Sequence, residues 1–280
     1  MNASARPRPL RVAVIGAAGR MGRLLCAAIE AAPDLELAAR VDVRNTGAGL
    51  GDGRERGEGD GSRDAVGYSP GLFAFVAGGI DLAVEFTRGD APARIGPEIE
   101  KLGCAWLSGT TALTAASQAA LESAGQKVPV LSSPNMSLGA AILRTLVEEA
   151  AHLLPADWEL EIVESHHAAK IDAPSGTARA LGEAWTKVRG GNFVFGRSGL
   201  SGPRPPKEVG IHAVRLPGGV GEHRVLLGAA AESLELTHRA TDRAVFAEGT
   251  LTALRWLSGK PAGLYSLRDW VADHLCRAGD

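Results

Sequence analysis

The first apolar run of the chain ends in a glycine-rich turn that leads directly into an amphipathic helix. Residues 10–15 (LRVAVI) are nearly all apolar, as in a strand buried on both faces of a parallel sheet. Glycines follow at positions 16, 19 and 22, and apolar residues at 21–29 recur at helical spacing. In such a turn the first glycine permits the tight bend, the second lets a pyrophosphate approach, and the third lets helix pack on strand. The order of elements therefore predicts a strand–turn–helix unit that binds a dinucleotide, although the GxxGxxG spacing is a variant of the usual GxGxxG.

An acidic residue stands where the same fingerprint requires one. The second predicted strand covers residues 35–43, and Asp42 follows the glycine turn by roughly the 20 residues at which a carboxylate binds a ribose hydroxyl. The charge of Asp42 repels a 2′-phosphate, while Arg44 offsets part of that repulsion. We expect NADH and/or NADPH as the cofactor, with NADH favoured.

Strands and helices continue to alternate through the first half of the chain. Alternation of this kind predicts a Rossmann-type α/β fold with a doubly wound parallel sheet. Between the second and third strands, residues 51–64 contain five glycines, eight charges and no apolar residue, which predicts a surface loop. The predicted helices are 68–77, 92–102 and 114–124, and the predicted strands are 81–87, 104–108 and 128–132.

The pattern changes after residue 133. Beyond the predicted helix 177–188, three strands follow one another without intervening helices. This predicts a second, α+β domain with a mixed or antiparallel sheet. We divide the chain into a dinucleotide-binding domain (1–137), a second domain (138–242) and a C-terminal segment (243–280). The predicted helices are 138–154, 177–188 and 243–257, and the predicted strands are 158–164, 211–216, 223–229 and 233–237.

Composition excludes several classes of protein. The net charge of −2 provides no positive field to attract nucleic acid, and no run of about 18 apolar residues spans a membrane. The first ten residues lack the apolar stretch of a signal peptide, and the three cysteines are scattered and odd in number. We expect a cytoplasmic protein of two domains without a membrane or nucleic-acid partner.

The densest group of polar residues is the segment ESHHAAKIDAPSGTA at 164–178, which leaves a predicted strand and enters a helix. His166 exchanges a proton near neutral pH, and Lys170 supplies a cation or a proton donor. Residues 175–177 open the following helix, whose free N–H groups bind anions. Together these groups suit a small substrate that carries carboxylates.

A structural interpretation stands beside each of these assignments. Adjacent histidines on a strand point to opposite faces, so one of His166 and His167 is structural, and Lys170 taken alone is a solvated charge. No cysteine or third histidine lies at metal-ligand spacing, so we expect no metal. The remaining histidines lack a comparable context and are interpreted as structural; they are His152, His212, His223, His238 and His274.

The segment at 164–178 resembles the signature of the 4-hydroxy-tetrahydrodipicolinate reductase (dihydrodipicolinate reductase) family, E-x-H-H-x-x-K-x-D-A-P-S-G-T-A, without a break. VAVIGAAGRMG at 12–22 is similar to the family's nucleotide turn, and GTT at 109–111 and SPNMSLG at 133–139 resemble its further cofactor-contacting turns. The resemblance extends from about residue 11 to about residue 269.

The resemblance implies a function and particular site residues. The family reduces 4-hydroxy-tetrahydrodipicolinate, with loss of water, in the diaminopimelate route to lysine. His166 would be the general acid/base and Lys170 the proton donor, while His167, Gly176 and Thr177 would hold substrate carboxylates. The residues implied at the cofactor are Gly16, Ala17, Ala18, Gly19, Arg20, Met21, Asp42, Gly109, Thr110, Thr111, Ser133, Pro134, Asn135 and Met136. The family's second domain binds substrate and forms a homotetramer, and its C-terminal segment returns to the nucleotide domain.

Three positions depart from the family pattern and concern the cofactor. Glu85 stands where the family has aspartate, Met136 replaces a phenylalanine, and Arg44 lies one place later than the family's arginine. Two other functions stay open at this point, a reductase of another cyclic imine or semialdehyde and a non-catalytic NAD(P) sensor. The complete His-His-Lys cluster disfavours the sensor, which needs no proton donor.

Overall fold

The computed structural model describes residues 8–42, 66–67 and 79–277. The predicted loop 51–64, the predicted helix 68–77 and Arg44 lie outside the described residues. The chain forms two compact units: one comprises residues 1–136 and 247–270, the other residues 137–246 and 271–280. The C-terminal segment 243–280 is thus divided, with 247–270 belonging to the first unit.

The first unit is built on a parallel sheet of the order β12-β6-β5-β4-β1-β2-β3. Both faces of its centre are covered, because consecutive residues 82–84 of β4 are fully buried. This confirms the predicted Rossmann-like fold. Its strands are β1 (Leu10–Ile15), β2 (Leu35–Asp42), β3 (Val66–Gly67), β4 (Leu82–Glu85), β5 (Ala105–Ser108), β6 (Pro129–Ser132) and β12 (Gly263–Tyr265), and its helices include α1 (Arg20–Ala31), α2 (Pro92–Leu102) and α3 (Ala115–Gly125).

The second unit contains a five-stranded mixed sheet of the order β11-β10-β7-β9-β8. β10 pairs antiparallel with β7 and β11, whereas β9 pairs parallel with β7 and β8. Leu160 and Ile162 of β7 join buried residues of α4 and α5 in one core. The strands are β7 (Glu159–His167), β8 (Asn192–Phe195), β9 (Glu208–Leu216), β10 (Gly221–Gly228) and β11 (Ser233–Ala240); the helices are α4 (Leu138–Leu153) and α5 (Gly176–Arg189), and α6 (Ala244–Leu257) and α7 (Leu267–Arg277) each span a unit boundary.

Most element ends differ from the prediction by a few residues, and four described elements were missed: β3, β8, β12 and α7. The three strands have only two, four and three residues, too few for a periodic signal. The difference that matters most is in β7, which continues past the predicted end at Glu164 to His167. Both histidines of the signature are therefore strand residues. Among the described residues, no helix is long and apolar enough to cross a membrane.

Candidate active site

The predicted cofactor residues of the first unit gather at one edge of its sheet. Parallel strands end at a common edge, and ligands of doubly wound sheets bind there. The glycine turn follows β1, Asp42 ends β2, residues 109–111 follow β5, and residues 133–136 follow β6. The sheet order places β4 between β1 and β5, so residues 86–88 share the same edge.

The glycine turn has a backbone that only glycine fits at two positions. Gly16 has a φ of 85°, and a Cβ there would lie 2.3 Å from the carbonyl oxygen of Phe86. A Cβ at Gly22 would lie 2.1 Å from the carbonyl oxygen of Gly16. Gly16 therefore permits the backbone conformation of the turn, and Gly22 permits the close approach of α1 to it.

The start of helix α1 fits the pyrophosphate of a dinucleotide. Helix α1 begins at Arg20, and its N-cap is Gly19, which has no side chain to accept hydrogen bonds from the first turn. Such N–H groups, with the helix dipole, form a site for phosphate. Within the turn, the Ala18 N–H donates to Asp42 Oδ2 at 2.8 Å, and the Asp42 side chain is buried (3% exposed). Asp42 therefore also holds the turn in place.

The buried carboxyl of Glu85 joins the loop after β4 to the turn after β5. Ser108 Oγ donates to Glu85 Oε2 at 2.6 Å, the Thr87 N–H donates to Oε1 at 2.9 Å, and the hydroxyls of Thr87 and Thr110 also donate to Oε1. Burial raises the pKa of Glu85, although these hydrogen bonds act in the opposite direction. Because the Thr110 hydroxyl is occupied in this way, a cofactor would contact the backbone at this position.

The turn after β6 is likewise ordered by internal contacts. Ser133 Oγ donates to the carbonyl oxygen of Asn135 at 2.7 Å. Met136, which stands where the sequence resemblance led us to expect phenylalanine, is fully buried. Its side chain presents almost no surface at the edge of the sheet.

In the second unit, the end of β7 and the start of α5 bring the substrate-site candidates together. Ser175 is the N-cap of α5, and its Oγ accepts a hydrogen bond from the Ala178 N–H. Gly176 and Thr177 form the first turn of the helix. Lys170 donates its backbone N–H to the carbonyl oxygen of His167 at 3.0 Å, and its Nζ lies 2.8 Å from Asp172 Oδ1. A cation, two imidazoles and a helix N-terminus therefore share one region of the unit.

The centre of this region is a residue that sequence reasoning did not select, Glu164. Its carboxylate is fully buried and accepts hydrogen bonds from Arg215 Nη1 and Nη2, both at 2.8 Å. His166 Nδ1 lies 2.5 Å from Oε2, and the Ser175 N–H donates to Oε1 at 3.0 Å. Burial alone would raise the pKa of Glu164, but the hydrogen bonds from Arg215, His166 and Ser175 outweigh it and lower the pKa. The group is an anion at neutral pH.

The environment of His166 keeps its imidazole neutral at neutral pH. Burial lowers the pKa of His166, and the hydrogen bond to Glu164 opposes this without reversing it. The Nδ1 side faces Glu164, whereas a Cβ placed on Gly221 would lie 2.8 Å from Nε2. The glycine therefore leaves room beside the nitrogen that is not bound to Glu164.

His223 belongs to the same cluster, although its sequence context gave no sign of it. It lies opposite Glu164 in the pairing of β10 with β7, and its ring packs edge-on against His166 with centroids 5.2 Å apart. His223 Nε2 lies 2.9 Å from Ser175 Oγ. Burial, with smaller contributions from neighbouring charges, lowers the pKa of His223 to about 4.

A sequence signal for Glu164 did exist. In the β7 pattern Glu164 follows Leu160 and Ile162 at a spacing of two, which places a carboxylate on the core face. A buried carboxylate requires cationic or N–H partners. The distant partner, Arg215, is brought to Glu164 by strand register and has no local signal. Among the described residues, no group of three or more His, Cys, Asp or Glu side chains is arranged to hold a metal ion.

Comparisons with known proteins agree over nearly the whole chain. Residues 10–136 match the family model described as "Dihydrodipicolinate reductase, N-terminus", and residues 139–271 match "Dihydrodipicolinate reductase, C-terminus". The 4-hydroxy-tetrahydrodipicolinate reductase of Thiobacillus denitrificans is 38% identical over 264 residues, covering 93% of this chain and 97% of the relative. That of Caulobacter vibrioides is 37% identical over 268 residues, covering 94% and 97%.

A solved structure with the same fold is the dipicolinate-bound dihydrodipicolinate reductase from Paenisporosarcina sp. TG-14. It aligns with a TM-score of 0.75 at 22% identity, covering 93% of this chain and 99% of that one. C. glutamicum DAP dehydrogenase aligns with a TM-score of 0.52 at 13% identity, covering 94% of each chain. Both comparisons support the fold.

Proposed function

The chain belongs to the dihydrodipicolinate reductase family, and we propose that it reduces 4-hydroxy-tetrahydrodipicolinate to tetrahydrodipicolinate with NAD(P)H. The observation that carries this proposal is the cluster around β7, in which the complete family signature folds into one polar region. Its groups are those that reduction of a small dicarboxylate requires: positions for anions, a cation and an oriented imidazole.

The residues at the start of α5 are suited to hold a substrate carboxylate. Ser175 caps the helix through Ala178, and Gly176 and Thr177 lie in the first turn, where backbone N–H groups and the helix dipole favour an anion. We assign these two residues and His167 to carboxylate binding. The Lys170 ammonium adds a positive charge in the same loop, and its ion pair with exposed Asp172 is exchangeable for a substrate anion.

The overall reaction consumes one hydride and one proton and releases one water. When bound, NAD(P)H supplies the hydride. The departing 4-hydroxyl needs a proton, for which we assign Lys170 as donor, and His166 Nε2 is the atom that exchanges a proton with the substrate or with Lys170. Positioned groups of this kind contribute roughly 10²–10⁴-fold to a rate. In the first unit, Gly16 to Met21 would hold the pyrophosphate, and residues 109–111 and 133–136 would line the cofactor, Met136 through its backbone alone because its side chain is buried.

We propose that NADH is the better cofactor, on the basis of Asp42. A buried carboxylate at the end of β2 accepts hydrogen bonds from a ribose hydroxyl but opposes a 2′-phosphate. Parallel titrations of the protein with NADH and NADPH, followed by nicotinamide fluorescence, test this preference. Equal or tighter binding of NADPH contradicts it.

We further propose a cytoplasmic homotetramer. The scattered cysteines support a reducing compartment, and the resemblance to the family supports the assembly. β10 and β11 offer a polar surface for contact with other copies, on which Arg224 pairs with Glu235 and Arg239 with Glu222. Light scattering of the purified protein should give about four times the chain mass of 29.0 kDa, and a monomeric mass contradicts the assembly.

One assay tests the activity against its alternatives. The protein is added to the fresh condensation product of aspartate semialdehyde and pyruvate, and NADH absorbance is followed. We expect oxidation that requires both protein and substrate. Absence of oxidation by protein that binds NADH would favour the sensor or a reductase of another cyclic imine.

Two variants test the assigned residues. His166→Ala and Lys170→Ala should each lose most of kcat while still binding NADH, because both side chains lie in the unit that does not hold the glycine turn. Turnover at the wild-type rate in the double variant would overturn the assignment of His166 and Lys170.

A further inference from the structure

We propose that Glu164 is the positioning residue of His166: its carboxylate, fixed by Arg215, holds the imidazole with Nδ1–H toward Glu164 and so presents the unprotonated Nε2 at the substrate side. This inference rests on the proposed function, because it specifies how one residue of that site acts through another.

Several fixed contacts hold the carboxylate of Glu164 in place. Arg215 binds both oxygens of Glu164, and the Ser175 N–H binds Oε1. With these contacts the carboxylate has no freedom to rotate away from His166. Two-point arginine–carboxylate contacts are among the most geometrically restricted pairs in proteins.

Strand register brings Glu164, His166 and Arg215 together without any flexible segment. Parallel pairing of β7 with β9 puts Arg215 opposite His166, and Glu164 precedes His166 by two residues on the same face. Groups on regular strands are held more exactly than groups on loops. The Arg215 guanidinium also donates to the carbonyl oxygen of Asp172 at 2.6 Å. The same residue thereby fixes the loop that carries Lys170.

The contact with Glu164 also selects the tautomer of His166. A neutral imidazole has one N–H and one lone pair, and the group bound to one nitrogen decides the state of the other. The ionised Glu164 can only accept a hydrogen bond, so Nδ1 must be the protonated nitrogen. Nε2, which lies against Gly221 where a Cβ would crowd it, is then the nitrogen whose lone pair accepts a proton.

The charged and titratable groups around His166 come from four parts of the chain. They are Glu164 on β7, Arg215 on β9, His223 on β10 and Lys170 on the loop after β7. Of these, Glu164 raises the pKa of His166, whereas Lys170 and Arg215 lower it. Removing the charge of Glu164 must therefore lower the pKa of His166.

Glu164→Gln tests the proposal, with Glu161→Gln as the matched control. Glu161 lies on the same strand and also binds a histidine and two arginines (His212, Arg197 and Arg204), but it does not contact His166. In Glu164→Gln we expect kcat to fall roughly ten- to a thousandfold, which is less than the roughly 10²–10⁴-fold contribution of a general acid–base group, because His166 itself is retained. The KM for NADH should stay unchanged, and the His166-dependent limb of the kcat/KM pH profile should move to lower pH. The control should show neither kinetic change.

A spectroscopic measurement gives a result that does not depend on turnover. Imidazole ¹⁵N spectra, with the His166 signals identified by their loss in His166→Gln, report which nitrogen carries the proton. We expect Nδ1–H in the wild type and in Glu161→Gln, and a shift toward Nε2–H in Glu164→Gln. The proposal is overturned if neutral His166 in the wild-type protein carries its proton on Nε2. This result comes from the wild type and does not depend on the folding of Glu164→Gln.

The two proposals fail in distinguishable ways. If wild-type protein does not oxidise NAD(P)H with the substrate, the proposed function fails, while the ¹⁵N spectra still decide the role of Glu164. If the enzyme is active but Glu164→Gln retains both the wild-type pH limb and the wild-type tautomer, the positioning role is wrong and the function stands.

Discussion

His223 is predicted to make the second unit sensitive to acid. Its ring is 4% exposed, its Nε2 shares a hydrogen bond with Ser175 Oγ, and its Nδ1 has no hydrogen-bond partner among the described residues. Protonation would place an N–H at the unpartnered nitrogen and a charge in a buried space. Burial accordingly lowers the pKa of His223 from 6.5 to about 4.

The magnitude follows from linkage between protonation and folding. The unfolded chain binds the proton near pH 6.5 and the folded chain only near pH 4, so stability is complete above pH 6.5 and declines as pH falls toward 4. A pKa lowered by this amount corresponds to about 3 kcal/mol, since one pKa unit is about 1.4 kcal/mol. Folded domains are stable by about 5–15 kcal/mol in total. Acidification through this range should therefore remove a considerable part of the stability of the second unit.

The assay compares His223→Gln with His152→Gln, which changes an exposed histidine at the end of α4. Glutamine keeps a polar contact toward Ser175 but does not titrate. Urea unfolding is followed at several pH values from 7 to 4 by the fluorescence of Trp158 and Trp185, both buried in the second unit, with the other tryptophans replaced by phenylalanine. We expect the stability of His223→Gln to decline less than that of the wild type, by about 3 kcal/mol at pH 4. An equal pH dependence in all three proteins would refute the reasoning.

Three further predictions concern the two sites. Gly221→Ala should lower kcat by at least about tenfold while leaving the Kd for NADH unchanged, because the added Cβ would displace the His166 ring from its position beside Glu164. An unchanged kcat in steady-state assays contradicts this prediction. Asp42→Asn should raise the affinity for NADPH relative to NADH, because the charge that opposes the 2′-phosphate is removed, and fluorescence titration with both nucleotides checks it. Glu85→Ala should destabilise the protein by about 2–4 kcal/mol, because the buried hydroxyls of Ser108 and Thr110 lose their acceptor, and it should weaken NADH binding. An unfolding temperature within about 1 °C of the wild type would show that the hydrogen bonds to Glu85 contribute little.

Local sequence was sufficient to predict the fold class and most of the elements. The apolar strands of the first unit, the glycine turn and the helical periodicity of α1 are properties of consecutive residues, and each predicts its structure without distant contacts. Element ends were less accurate, because they depend on capping and pairing partners. The extension of β7 to His167 is the example with consequences for the site, since pairing with β9 continues through His166 and His167.

For the candidate site, too, some features follow from local sequence and others from contacts between distant residues. The sequence alone determined the chemical groups of the signature and their position between a strand and a helix, because these residues are neighbours in the chain. Only the tertiary structure decided what those groups do for one another: Arg215 is 51 residues from Glu164, and His223 is 48 from Ser175. The physical reason is that a buried carboxylate and a buried imidazole take their charge and tautomer from the groups that strand register brings against them.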